Sequence, residues 1–265
     1  VKVGQVWKLT SIPVPLVGDT VQVTAGGVLL QPVVASSTVG APGVSPAMQN
    51  LLDQLRKLDN SPPAAGSNRV SLATYHSRRS DVLLGLSLGA STASERDQWG
   101  RQLIDSLTAL VESGVWPEAL SRLAAEELRL KQRSPKSALV PFASYRHLLA
   151  RYSQSVQATT DVSAQSKIQQ QWLVDLEGFV AGYPSAEDTP EAIWQLGTAH
   201  EFAARVDNAK TWYSKLARQY ARTAAGQRAT GALVRLDLKG KPFVIAGRNL
   251  ANTSVSSSAY RGKLL

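Results

Sequence analysis

From residue 45 onward the apolar positions recur with a helical period. Ser45-Pro46 places a cap residue ahead of the proline that suits a first helical turn. Met48, Leu51, Leu52, Leu55 and Leu58 then mark one face, which stops before Asn60-Ser61-Pro62-Pro63. A second helix is expected from about Val70 to Leu86 on the mixed stripe Leu72, Tyr75, Arg79, Val82, Leu83 and Leu86. Thr92/Glu95 and Ser94/Asp97 both have capping-box spacing, and Trp99, Leu103, Leu107, Leu110 and Val111 carry a third helix to Gly114. Pro117 is expected to open a fourth, through Leu120, Leu123, Ala124 and Leu128, and Pro135 a fifth, through Phe142, Tyr145, Leu148, Leu149 and Tyr152. Ile168, Trp172, Leu173, Leu176, Phe179 and Val180 line a sixth, and a last helix spans about Ala224 to Leu236.

Between these last two, Thr189 to Tyr220 is read as two helices folded back on each other. Ile193, Leu196, Gly197, His200, Ala209, Tyr213 and Leu216 have the order and spacing of a tetratricopeptide helical hairpin, and are assigned to packing. One such hairpin cannot bury its own face, so neighbours are required. Phe179, Tyr183, Ala192 and Leu196 recur 37 residues later as Leu216, Tyr220, Ala229 and Leu233, and LLARY (148–152) echoes LARQY (216–220). The expected fold is mainly α, a right-handed stack of antiparallel helix pairs built from a degenerate tetratricopeptide-like repeat.

The ends of the chain differ from this middle. Residues 1–43 alternate Val1, Val3 and Val21, Val23 around an Ala25-Gly26-Gly27 turn, which predicts a small N-terminal β element followed by a linker. Residues 44–240 form the helical repeat domain. Residues 241–265 form a polar tail with two strand-like pieces, 243–246 and 263–265, resembling the beginning of another domain. The first residue is Val1 rather than Met, so an upstream segment such as a signal peptide is expected to have preceded it.

Composition narrows the chemistry. Cysteine is absent, which removes disulfides, thiolate metal sites and Cys nucleophiles from this chain. The longest apolar run, Val82 to Ala90, falls far short of the roughly 20 residues that span a bilayer, so no transmembrane segment is expected. The net charge of +9 is unevenly placed: residues 201–265 hold 12 Lys/Arg against 3 Asp/Glu. Lys210, Lys215, Arg218, Arg222, Arg228 and Arg235 are the candidate basic face of the final helices. Such a face suits an acidic protein partner, with nucleic acid disfavoured; the plainer reading is a solvated helical surface.

Motifs for catalysis are thin. Gly85-Leu86-Ser87-Leu88-Gly89 matches the nucleophile elbow of serine hydrolases, with Asp161 or Asp175 and then His200 in the right chain order. An elbow needs a strand before the serine and a helix after it, whereas helix precedes Ser87 here. His200-Glu201 lacks the second zinc-binding histidine, because position 204 is Ala. His76 and His147 stand alone, and Glu126-Glu127 and Glu187-Asp188 have no paired acid across a cleft. No phosphate loop occurs, so neither cofactor nor metal is expected. Trp7, Trp99, Trp116, Trp172, Trp194 and Trp212 suit either a peptide or glycan groove or, on helix faces, core packing.

PAMQNLLDQLRKLD (46–59), YHSRRSDVLLGL (75–86), ERDQWGRQLIDSL (95–107), WLVDLEGFVAGYP (172–184), EAIWQLGTAHEF (191–202) and GALVRLDLKGKPF (231–243) together resemble planctomycete-type envelope proteins of the thioredoxin-like, TlpA/redoxin class. In them a helical region precedes a thiol–disulfide oxidoreductase domain. Phe243, Ile245, Gly247, Leu250, Tyr260, Arg261, Gly262, Lys263, Leu264 and Leu265 resemble the opening of that domain, which in the family is followed by W-C-x-x-C. The resemblance implies a non-catalytic, partner-binding or positioning region of a protein of the cell envelope or periplasm. It carries over no catalytic residue. Two other functions stand beside it: a free-standing helical scaffold or homo-oligomeric subunit of an envelope assembly, and, remotely, a serine hydrolase using Ser87.

Overall fold

The computed structural model describes residues 45–64, 66–238, 240–241, 244–260 and 262. Among them are nine helices: α1 (Pro46–Asn60), α2 (Arg69–Gly89), α3 (Ala93–Ser113), α4 (Ala119–Arg133), α5 (Leu139–Gln157), α6 (Val162–Gly182), α7 (Thr189–Phe202), α8 (Val206–Gln219) and α9 (Ala224–Asp237). Each packs on the next in chain order, and α3 also meets α5 as α7 meets α9. Short turns between helices that pack along their length make the pairs antiparallel. The fold is therefore mainly α, a stack of helix pairs. The expected N-terminal β element lies outside the described residues.

Local chemistry fixes most helix starts. Side chains of Ser45, Asn68, Thr92, Asp161 and Thr223 accept from the backbone N–H three residues on, satisfying one otherwise unpaired donor each. Of the two capping-box spacings, the one formed is Thr92/Glu95, with both reciprocal bonds present. Pro117 and Pro135 do not open helices; α4 and α5 begin at Ala119 and Leu139. Pro135 instead sits in a tight turn closed by Ser137 N–H donating to Ser134 O at 2.9 Å.

That turn is the true repeat signal. Ser134, Tyr183 and Tyr220 end α4, α6 and α8, and each donates its N–H to the carbonyl four residues back, on Leu130, Phe179 and Leu216. Each then accepts from the N–H three residues on, Ser137, Ala186 and Thr223, at 2.9, 3.1 and 2.9 Å. Nine positions after each cap comes an alanine, Ala143, Ala192 and Ala229, all with 0% exposure. The upstream counterpart of 216–220 is therefore 130–134. The echo at 148–152 lies inside α5, away from its end, and is out of register.

Two cores result. The first gathers α1–α5 around Leu83, Leu86, Ile104, Leu107 and Leu123. The second gathers α6–α9 around Leu176, Ile193, Leu196, Tyr213 and Leu216. α5 serves both, giving Phe142 and Ala143 to the first and Tyr145 to the second. Each fully buried large side chain contributes about 1.5–3 kcal/mol, so both halves have substantial hydrophobic stabilisation.

Past α9 the chain forms a hairpin, β1 (Ala246–Arg248) pairing antiparallel with β2 (Ser254–Ser256), then a 3-10 turn, Ser257–Tyr260. The strand thus starts where the predicted 243–246 piece was to end, and its partner comes from a serine-rich stretch read as polar tail. The 263–265 piece lies outside the described residues.

Candidate functional site

The six cations of the predicted basic face do not act as one surface. Lys210 Nζ meets Asp237 Oδ1 at 2.5 Å and Arg228 Nη2 meets Glu191 Oε2 at 2.5 Å. Arg235 holds Glu201 through two nitrogens, at 2.5 and 2.9 Å. These three residues tie α7, α8 and α9 together. Glu201 also accepts from the Tyr213 hydroxyl at 3.0 Å. Its hydrogen bond from Arg235 holds its carboxyl below the usual range, against burial and with help from Tyr213. Lys215, Arg218 and Arg222 have no ion pair among the described residues. Arg218 Nε donates to its own helix at Ser214 O, and Lys215 Nζ lies 5.3 Å from the Trp212 ring centre.

The residues of the hairpin assigned to packing are all buried. Ile193, Leu196, Ala209 and Leu216 have 0% exposure and Tyr213 1%. Gly197 is buried against the Tyr213 ring. His200 is 7% exposed; Arg205 Nε donates to its Nδ1 at 3.0 Å, and Nε2 has no partner among the described residues. Burial, then the nearby Arg205, lowers the His200 pKa, so its ring is a neutral packing group at neutral pH. The tryptophans follow the same rule: Trp116 and Trp172 are buried, and Trp99, Trp194 and Trp212 pack against the two cores. Trp7 lies outside the described residues.

Ser87 lies within α2, which continues through Gly89. Its side chain is 4% exposed and its hydroxyl donates to Arg96 O at 3.1 Å. The strand-to-helix turn of a nucleophile elbow is absent around it. The glycine on its N-terminal side, Gly85, faces the Leu51 side chain, which would stand 3.1 Å from an added Cβ. Close packing of α1 on α2 accounts for that half of the motif.

Two polar assemblies bring together residues that lie apart in the sequence. On α4, Glu127 accepts from Ser144 Oγ at 2.7 Å and Lys131 Nζ at 2.6 Å, and His147 Nδ1 lies 2.5 Å from its other oxygen. Burial pushes the carboxyl upward, but the bonds from His147, Lys131 and Ser144 outweigh it and hold its pKa at about 2. His147, which stands alone in the sequence, is thus paired with Glu127 from α4, and Ser144 joins them from the same face of α5; a contact between helices 17 and 20 residues apart in the chain leaves no spacing pattern. The serine bonds the carboxylate directly, which differs from a relay passing its proton to histidine.

The second assembly lies where the two cores meet. The Phe142 ring is held between guanidinium groups, Arg101 at 4.4 Å and Arg146 at 4.6 Å from its centre. Arg101 continues to Glu187 at 3.0 Å, and Arg146 bridges Asp105 and Asp188, each at 3.3 Å. Gln195 Nε2 donates to Tyr145 OH at 3.1 Å across the same joint. A groove of about 550 Å³ opens there, walled by the turns at 135–138 and 182–188 with Phe142 and Tyr183. Of its charged lining, Arg101, Glu187 and Asp188 are engaged in ion pairs, and Lys136 has none among the described residues.

No protein-family model, no curated protein and no solved structure matches this chain. Among the described residues no helix is long and apolar enough to cross a membrane.

Proposed function

We propose that the helices from 46 to 237 are a non-catalytic scaffold that positions a downstream thioredoxin-like domain of the thiol–disulfide oxidoreductase kind at the cell envelope. The observation that carries this reading is the surface where the stack gives way to the hairpin. Val244, Ile245 and Leu250 are 49%, 61% and 109% exposed, and all of β1 and the first two residues of β2 are exposed as well. A lone two-stranded hairpin is marginal in water, which favours its being the first unit of a larger sheet. The adjoining end of the stack is apolar too: Phe202 is 68% exposed beside the α7–α8 turn and Val234 59% on α9. The Arg235–Glu201 and Lys210–Asp237 pairs bring those elements together at that end. Exposed apolar surface of this sort marks a contact site. The sequence resemblance of 231–243 and 260–265 to the redoxin opening supports the same reading.

Reading the gene beyond codon 265 tests it. A buried strand and then W-C-x-x-C are expected, and a stop codon at position 266 overturns it. The same apolar end also suits a free-standing scaffold that covers it with a second copy. Light scattering separates the two, since a strictly monomeric 265-residue chain counts against self-association.

A further inference from the structure

We propose that the outward face of α8, with Lys215, Arg218 and Arg222, docks an acidic polypeptide segment of a partner protein. This deepens the scaffold reading by naming what the scaffold captures. It fails separately from that reading, because peptide binding by the 265-residue chain is independent of any sequence downstream of Leu265.

The inference rests on how the fold divides the cations. Charge alone proposed six residues for this role, and ion pairs remove Lys210, Arg228 and Arg235, whose carboxylate partners lie on neighbouring helices. The remaining three are consecutive in the chain among its cations. Lys215 and Arg218 stand one helical turn apart, turned away from the buried Ala209, Tyr213 and Leu216, and Arg222 comes next, in the turn to α9. The one acidic residue of α8, Asp207, is in its first turn, at the opposite end from Arg218. Of other cations without an ion pair among the described residues, Arg133 and Lys136 flank the α4–α5 turn and Lys167 lies on α6, so none of these groups adds a third cation to its neighbourhood as Arg222 does to Lys215 and Arg218. The α8 face is thus a local excess of positive charge with no internal neutraliser.

The dimensions select the partner. Lys215 and Arg218 stand about 4.5 Å apart along the helix axis, and Arg222 extends the row into the turn, a span that a few carboxylates on a peptide match. Three cations fall short of the roughly 6–10 phosphate contacts of a nucleic-acid site. A membrane-surface helix needs large apolar residues beside its cations for insertion. On this face the one large side chain is Trp212, half-buried and covered by Lys215. Arginine forks favour carboxylates through paired hydrogen bonds, and the Trp212 ring steadies the Lys215 ammonium beside them.

A fluorescein-labelled peptide with six glutamates spaced by alanines is the probe, titrated against the full 265-residue chain by fluorescence anisotropy at low salt. The wild-type Kd is expected to weaken about tenfold or more on raising salt to physiological strength. The triple variant K215Q/R218Q/R222Q is expected to bind at least about tenfold more weakly at low salt, with an unchanged circular-dichroism melting curve. R133Q/K136Q/K167Q, which loses the same formal charge, is expected to stay within about twofold of wild type. The single variants K215Q, R218Q and R222Q, each about two- to fivefold weaker, give a second reading should the triple variant misfold. Equal weakening in both triple variants, or no weakening in the α8 variant, overturns the proposal. Tighter binding of a single-stranded oligonucleotide or of phosphatidylserine vesicles than of the peptide overturns it as well.

Discussion

The edge of the Tyr213 ring lies against Gly197 so closely that a Cβ added at 197 would stand 2.4 Å from Cε1 and 2.7 Å from Cδ1. Tyr213 cannot swing away freely, because its hydroxyl is bonded to Glu201 at 3.0 Å and its side chain is 1% exposed. Gly197→Ala should therefore destabilise the protein by about 1–2 kcal/mol, an overpacking cost of about 1–3 kcal/mol reduced by alanine's better helix propensity. Urea unfolding reads this as a lower midpoint at unchanged slope. A midpoint at or above wild type would show that α7 and α8 part easily.

Glu127 gives the stack an acid-sensitive anchor. Its folded pKa, about 2, lies below the ordinary value of 4.5. Its contribution is therefore present above about pH 4.5 and fades as pH falls towards 2, with protonation progressively favouring the unfolded chain. The side chain is 13% exposed, so the linkage is only lightly screened and amounts to a few kcal/mol at most. Glu127→Gln should lose about 2–3 kcal/mol at pH 7 and show a flatter decline of stability between pH 4.5 and 2. Urea midpoints at pH 7, 4 and 3 check it; parallel pH profiles for both proteins would contradict it.

Ala204 closes the α7–α8 turn at φ 56°, in the left-handed region where its Cβ is crowded. Its N–H donates to Glu201 O at 2.9 Å, which holds it there. Ala204→Gly should stabilise the protein by about 0.5–1 kcal/mol, since glycine adopts this backbone without the clash. A thermal midpoint raised by a few degrees is the expected outcome; a lowered one would mean that the entropy of the unfolded glycine chain outweighs the relief.

Ser87 is expected to stay unlabelled by a fluorophosphonate probe, because its hydroxyl is buried and committed to Arg96 O. Ser87→Ala should cost about 1 kcal/mol through loss of the buried hydrogen bond from its hydroxyl to Arg96 O. Stoichiometric labelling that Ser87→Ala abolishes would establish the hydrolase reading instead.

The sequence by itself determined the helical character of the chain, the caps at Ser45 and Thr92, and the helical-face positions of Ile193, Leu196, Ala209, Tyr213 and Leu216. All of these depend on periodicity or on contacts between residues three or four apart, where chain geometry alone brings groups together. The 37-residue echo was legible for the same reason, since equal turns at Tyr183 and Tyr220 need equal residues. The earlier copy at Ser134 was hidden because it shares the turn's hydrogen bonds but little of its side-chain identity. Tertiary structure alone decided which cations are spent and which remain. Lys210, Arg228 and Arg235 find carboxylates 27, 37 and 34 residues away, across neighbouring helices whose stacking no local pattern encodes. Lys215, Arg218 and Arg222 carry the same charge but face outward, so the basic surface of this protein is a property of helix packing as much as of composition.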